Sequence, residues 1–201
     1  GCIAWGGSVS LSPADDILIR IERALDLDSE GQLVASVISK KIAAGSTHVL
    51  IDLPVGITAK VRNHEYATKL ADQLESTGKA LGIHVSSIFS DGQQPVGRGI
   101  GPSLEAVDIL SVLQNNANAP KDLRQRSAVI AGKILEMGGI APKNDGCKQA
   151  LLLLDSGKAW TKFQAICDAQ GGMRIPPKSK FTHQVESRQT GIVCYINNRF
   201  I

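Results

Sequence analysis

Residues 36–56 constrain this chain more than any other stretch. The first half carries Val37, Ile38 and Ile42 at helical spacing and stops at Gly45. The second half, Val49 to Leu53, is almost wholly apolar and β-branched, as expected of a parallel strand covered on both faces. A helix that feeds directly into such a strand is half of an α/β unit. Ser36 and Lys40 stand four residues apart on that helix, so they share one face. A hydroxyl and an ammonium converging in this way can hold a polar group such as the edge of a nucleobase. The same residues also fit a plain reading, a solvated Lys40–Lys41 pair favoured by the dipole at a helix C-terminus.

Around this block the pattern alternates. Ser12, Pro13 and Asp15 read as a helix start, with Ser12 as N-cap, Pro13 at N1 and Asp15 at N3 in the role of a short capping box. Ile17, Leu18, Ile21 and Leu25 follow at helical spacing, and a turn near 26–29 leads to the second helix with Val34, Val37, Ile38 and Ile42. His64 to Leu81 predicts a helix with Ala67, Leu70, Ala71 and Leu74 on one side, ended by Gly82, and Ile83 to Phe89 the next strand. A glycine-rich loop from Asp91 to Pro102 opens a helix over 103–113, and further helices are expected over 127–137, 145–155 and 157–169. Pro176-Pro177 marks a linker, and 181–186 with 192–196 read as a hairpin beginning a β-rich domain. The fold class is therefore α/β, a mostly parallel sheet with flanking helices. The helix-rich second half is expected to cover it.

Composition narrows the function. A net charge of +3 over 201 residues, with Lys and Arg spread along the chain, argues against a nucleic-acid surface. Cys2, Cys147, Cys167 and Cys194 form no CxxC pair and suggest reduced thiols in a cytoplasmic protein. The apolar run 150–154 is far too short to span a bilayer, and no signal-peptide pattern is visible, so no membrane partner is expected. The loop 97–102 follows a strand and precedes a helix. It lacks G-x-G-x-x-G, with Pro102 in the sixth place, so a dinucleotide site is rejected. His48, His64, His84 and His183 show no metal-ligand spacing.

With residues 11–16 ahead of it and Val55-Gly56 behind it, the block resembles the thymidine and pyrimidine-nucleoside phosphorylases, near the branch that holds the archaeal AMP phosphorylases. The resemblance is strong over 1–62 and continues to about Gln170. It implies that 13–45 belong to a small helical domain, that 1–12 and 46–175 form an α/β domain, and that 176–201 begin a truncated C-terminal domain. The chain then reads as a central fragment, inactive alone, with its phosphate-binding segment expected upstream. Its exposed helical face (Ile17, Ile21, Val34, Val37, Ile38) would seek a partner, and the full-length protein is expected to be a homodimer.

The family's reaction is phosphorolysis, in which inorganic phosphate as co-substrate attacks C1′ and the base leaves, with no cofactor. The resemblance implies that Ser36 and Lys40 contact the base, pointing to a cleft beside the sheet's carboxyl edge, and that Arg20, with Arg23 as a rival, is the base-binding arginine. From the AMP branch, Asp28 matches the proton donor, Ser36 a nucleotide contact and Lys60 a second contact. A donor Asp needs a raised pKa. Asp28 also reads as the N-cap of a helix opening at Ser29, Lys60 as an exposed loop lysine, and either arginine as a solvated helix residue. No metal is expected beyond a weak potassium reading on the carbonyls of Val96 and Gly99 and the carboxylate of Asp108.

The expected activity is phosphorolysis of a pyrimidine nucleoside to free base and (deoxy)ribose 1-phosphate. A nucleoside 5′-monophosphate phosphorylase giving ribose 1,5-bisphosphate is the enzyme alternative. A non-catalytic nucleotide-binding protein is the alternative of another class.

Overall fold

The computed structural model describes residues 1–4, 9, 11–25 and 29–201, with Arg23 described by its backbone alone. It is α/β, with seven helices and a two-stranded parallel sheet among the described residues. The chain divides into two compact units, Gly1–Ser90 and Asp91–Ile201.

The first unit runs α1 (Pro13–Leu25), α2 (Glu30–Ala43), β1 (His48–Val55), α3 (His64–Ala80) and β2 (His84–Asp91). Helix α1 opens at Pro13, where a missing N–H costs nothing, and its first helical bond runs from the Asp16 N–H to the Ser12 carbonyl. Helix α2 is capped by Ser29, whose hydroxyl accepts the Gln32 N–H at 3.5 Å, so the cap falls on Ser29 and the helix opens at Glu30. Helices α2 and α3 end alike. Gly45 (φ +70°) and Gly82 (φ +78°) take the left-handed conformation that side chains resist. That lets Gly45 and Ser46 donate to the carbonyls of Ile42 and Lys41, and Gly82 and Ile83 to those of Lys79 and Gly78. Each helix is thereby stopped one short turn before a strand.

The core of this unit joins Val34 and Ile38 of α2, Val49, Leu53 and Val55 of β1, Ala67, Leu70, Ala71 and Leu74 of α3, and Val85 of β2. Burying a Leu or Ile side chain contributes about 1.5–3 kcal/mol. Ile38, Leu70 and Leu74 are fully buried. On β1, burial is confined to Val49, Leu53 and Val55, and the intervening residues are half-buried, so cover on both faces is partial. Helix α3 is tied to α2 by Lys69 and Gln73 on the Glu30 carboxylate, and to β2 by Glu75, which accepts the Ser87 N–H at 2.8 Å.

One expectation needs correcting. The apolar residues of 13–45 do not form a single exposed face. Val34 and Ile38 enter the core beside the sheet strand and α3, and Val37 packs against it, while Ile17 and Ile21 are exposed. Helix α2 thus shares its core with the sheet, and α1 carries the uncovered apolar surface.

The second unit holds α4 (Pro102–Leu113), α5 (Lys121–Met137), α6 (Gly146–Asp155) and α7 (Lys158–Ala169) around Val112, Ala119 and Leu154. Helix α5 begins six residues before the expected 127, at Lys121 directly after Pro120. Helices α5 and α6 touch backbone to backbone: a Cβ on Gly146 would lie 2.1 Å from the Gly132 carbonyl oxygen. The Gly146 N–H also donates to Glu136 at 3.1 Å.

The expected hairpin over 181–186 and 192–196 does not form, and 173–201 hold neither helix nor strand. Phe181, Val185 and Ile192 are almost fully exposed. A two-stranded hairpin with no surface to bury its apolar face is marginal in water.

Candidate functional site

A stripe on α2 organises the site. Gln32, Ser36 and Lys40 recur every four residues, so their side chains rise from one face one above the other. All three converge on a single carboxylate. Asp15 of α1 accepts from Gln32 Nε2 at 3.2 Å on Oδ1, and from the Ser36 hydroxyl at 2.8 Å and the Lys40 ammonium at 2.5 Å on Oδ2. Asp15 is 4% exposed, and it is the buried charged residue among those described. Burial pushes its carboxyl up, but the Lys40 and Ser36 hydrogen bonds, the Lys40 charge and Gln32 outweigh that and hold it below the ordinary carboxylate value. Lys40 retains 31% exposure and Ser36 is half-buried, so both keep a side open to a ligand.

Ser36 and Lys40 are therefore brought together as their spacing implied. Both side chains meet Asp15 of α1 across the helix pair. Asp15 and Gln32 are the residues that sequence reasoning missed. The i, i+4, i+8 recurrence of Gln32, Ser36 and Lys40 was the available signal. Asp15 gave none beyond its place at N3, where its carboxylate reads as a cap.

The remaining candidates are dispersed. Arg20 is exposed and stands about 140° round α1 from Asp15, five residues at about 100° each, so it does not face the cluster. Asp28 lies outside the described residues, as does the side chain of Arg23. Lys60 lies on an exposed turn beyond the carboxyl end of β1, closed by the Gly56 N–H on the Val61 carbonyl at 3.0 Å. Lys40 is in the last turn of the helix that feeds the amino end of β1. At about 3.3 Å per residue the eight residues of the strand separate its two ends by about 23 Å.

In the second unit the loop before α4 is held by carboxylates. Asp108 Oδ2 accepts the N–H groups of Arg98 at 2.6 Å and Gly99 at 2.7 Å, and Asp122 Oδ2 accepts that of Gly97 at 2.9 Å. The Gly97 amide is the leading reason that Asp122 lies below the ordinary carboxylate value. In the potassium reading of Val96, Gly99 and Asp108, the Asp108 Oδ2 is already engaged by amide donors.

No protein-family model matches the chain. Curated relatives do, over its whole length. A Hahella chejuensis protein named "Putative thymidine phosphorylase" is 63% identical over all 201 residues, and an Acidovorax protein named "Putative thymidine phosphorylase 2" is 62% identical over the same 201. A Legionella pneumophila protein named "Putative thymidine phosphorylase" is 59% identical over 199. The chain spans about 40% of the length of these relatives (40%, 39% and 38%). Among the described residues no helix is long and apolar enough to cross a membrane.

Proposed function

We propose, for a chain that belongs to the thymidine phosphorylase family, that the protein it represents cleaves a pyrimidine (deoxy)nucleoside with inorganic phosphate to give free base and (deoxy)ribose 1-phosphate. The observation that carries this reading is the identity of about 60% to proteins of that name across the entire chain, with Ser36 and Lys40 converging on one face of α2. Phosphate attacks C1′ through an oxocarbenium-like transition state while negative charge builds on the leaving base. In this reading Lys40, an ammonium on a half-open side chain, neutralises that charge, and Ser36 hydrogen-bonds the base edge. Arg20 and Lys60 enter as further substrate contacts, and Asp28 as the proton donor, in the assembled protein. The described cysteines are free thiols, which supports a cytoplasmic setting. The exposed apolar residues of α1 support a homodimer built on that helix.

The test is an assay of a protein carrying this chain at its relatives' full length. Release of thymine from thymidine, strictly dependent on phosphate and with deoxyribose 1-phosphate as co-product, is the expected result. Turnover of AMP but not thymidine would move the reading to the nucleotide enzyme. Binding of either without turnover would move it to a binding protein.

A further inference from the structure

Two histidines far apart in the sequence meet at the amino edge of the sheet. Helices α2 and α3 each stop at a left-handed glycine, Gly45 and Gly82, and each hands a histidine to the first position of the following strand, His48 of β1 and His84 of β2. The His84 N–H donates to the Thr47 carbonyl at 2.9 Å, which sets His84 directly beside His48 in the parallel ladder. Paired residues project from the same face of a sheet, and successive residues from opposite faces. Val49 and Val85 come next in each strand and enter the core, so both imidazoles leave on the other face, where both are exposed. Their ring centroids lie 5.5 Å apart with the planes inclined by 52°. Thr47 Oγ1 lies 3.1 Å from His48 Nδ1.

We propose that His48 and His84 form a two-histidine site for a transition-metal dication of the zinc, nickel and copper class, which clips the starts of β1 and β2 together. Neutral imidazole is a preferred ligand of these ions, whereas Mg²⁺ and Ca²⁺ take oxygen. A nitrogen–zinc bond of about 2.1 Å puts the ion about 3.2 Å from each ring centroid, so two rings sharing a tetrahedral ion have centroids about 5.2 Å apart. The observed 5.5 Å needs only a small turn of each ring, and the torsion that turns a histidine ring is soft. A ligating histidine gives the N–H of its other nitrogen to an oxygen, which fixes the ring and raises its basicity. Thr47 Oγ1 is that oxygen for His48: with the Nδ1–H donated to it, Nε2 is the nitrogen left bare for the ion. Among the described residues no group of three or more His, Cys, Asp or Glu is placed to hold a metal ion, so water completes the shell and the site stays open to exchange.

The test titrates Ni²⁺ and Zn²⁺, with Mg²⁺ as the control, into a protein carrying this chain at its relatives' full length. Calorimetry compares the wild type with His48→Gln, His84→Gln and His64→Gln. Losing a ligand costs at least what losing its outer partner does, so His48→Gln and His84→Gln should each weaken Ni²⁺ binding at least about tenfold. His64→Gln should bind as the wild type does. Binding left unchanged by either His48→Gln or His84→Gln overturns the inference, as does a wild type that takes up neither Ni²⁺ nor Zn²⁺ at millimolar concentration. An equal loss in His64→Gln, or Mg²⁺ bound where Ni²⁺ displaces it, overturns it too. Should a variant fail to fold by circular dichroism, the wild type decides alone. Zn²⁺, unlike Mg²⁺, should shield His48 and His84 together from acylation by diethyl pyrocarbonate, read by peptide mass, and shielding of neither or of only one overturns the pair. Binding rather than turnover is read, so the outcome is independent of the phosphorylase reading.

Discussion

Asp15 and Asp108 are both carboxylates that gather donors, yet the donors differ in kind. Asp15 collects three side chains from the facing helix, and Asp108 collects two consecutive backbone amides, with Asp122 taking a third from the same loop. Side-chain donors can turn to another acceptor while their helix stays intact. Backbone amides cannot turn without moving the chain. The first arrangement suits recognition, because Lys40 and Ser36 keep unused hydrogen-bonding capacity beside the carboxylate. The second suits shape, because it fixes the path of 97–99.

That contrast can be broken by mutation. Asp108→Ala strips the acceptor from two amides, and charge-assisted hydrogen bonds contribute about 1.5–3 kcal/mol each. With water replacing part of this at a half-exposed loop, a loss of about 3 kcal/mol is expected in urea denaturation. Asp15→Ala should cost less, about 2 kcal/mol, because Lys40 at 31% exposure regains water. The reverse order would show that the side-chain cluster, not the amide loop, is the structural one. At the relatives' full length, Lys40→Ala should lower the proposed phosphorolysis more than about tenfold, equivalent to about 1.4 kcal/mol of transition-state stabilisation. Unchanged activity would remove Lys40 from the site.

The smallest effect separates the two carboxylates by titration. Asp15 and Asp122 are both held below the ordinary value near about 3.9, the first by side-chain donors against its own burial, the second chiefly by the Gly97 amide. A lowered folded pKa means stability that is fully present above the unfolded value and lost as pH falls through the folded one. Denaturation midpoints should therefore hold from neutrality to about pH 4 and drop below it. Lys40→Met should raise the titration of Asp15 and leave that of Asp122 in place, read from side-chain carboxyl carbon shifts. Equal movement of both would erase the distinction.

The same division explains what the sequence disclosed. Pro13, Gly45 and Gly82 marked helix ends because their backbone chemistry is local, and all three mark them in the structure. Ala67, Leu70, Ala71 and Leu74 were legible as a buried face by spacing alone, and they are buried. Spacing also gathered Ser36 with Lys40. It could not say what lies across from them, because Asp15 is 21 residues from Ser36 and looks like any N3 carboxylate. The amides on Asp108 were invisible for a stronger reason: a backbone N–H leaves no mark on residue identity. The apolar alternation over 181–196 misled because it encodes a surface that needs another surface, and the exposed Phe181, Val185 and Ile192 have none.

The crossing of Gly132 and Gly146 has a mechanical meaning. Where helices meet through side chains, rotamer changes take up small displacements. Between these two glycines the backbones touch directly, and there is no such slack. A displacement of α6 therefore bears directly on the α5 backbone, and Glu136 on the Gly146 amide is a second tie. Helix α5 carries Asp122 in its first turn, and Asp122 grips the Gly97 amide. The two helices therefore act as one lever whose far end holds the 97–99 loop, so amide exchange in α5 and α6 should slow and quicken together.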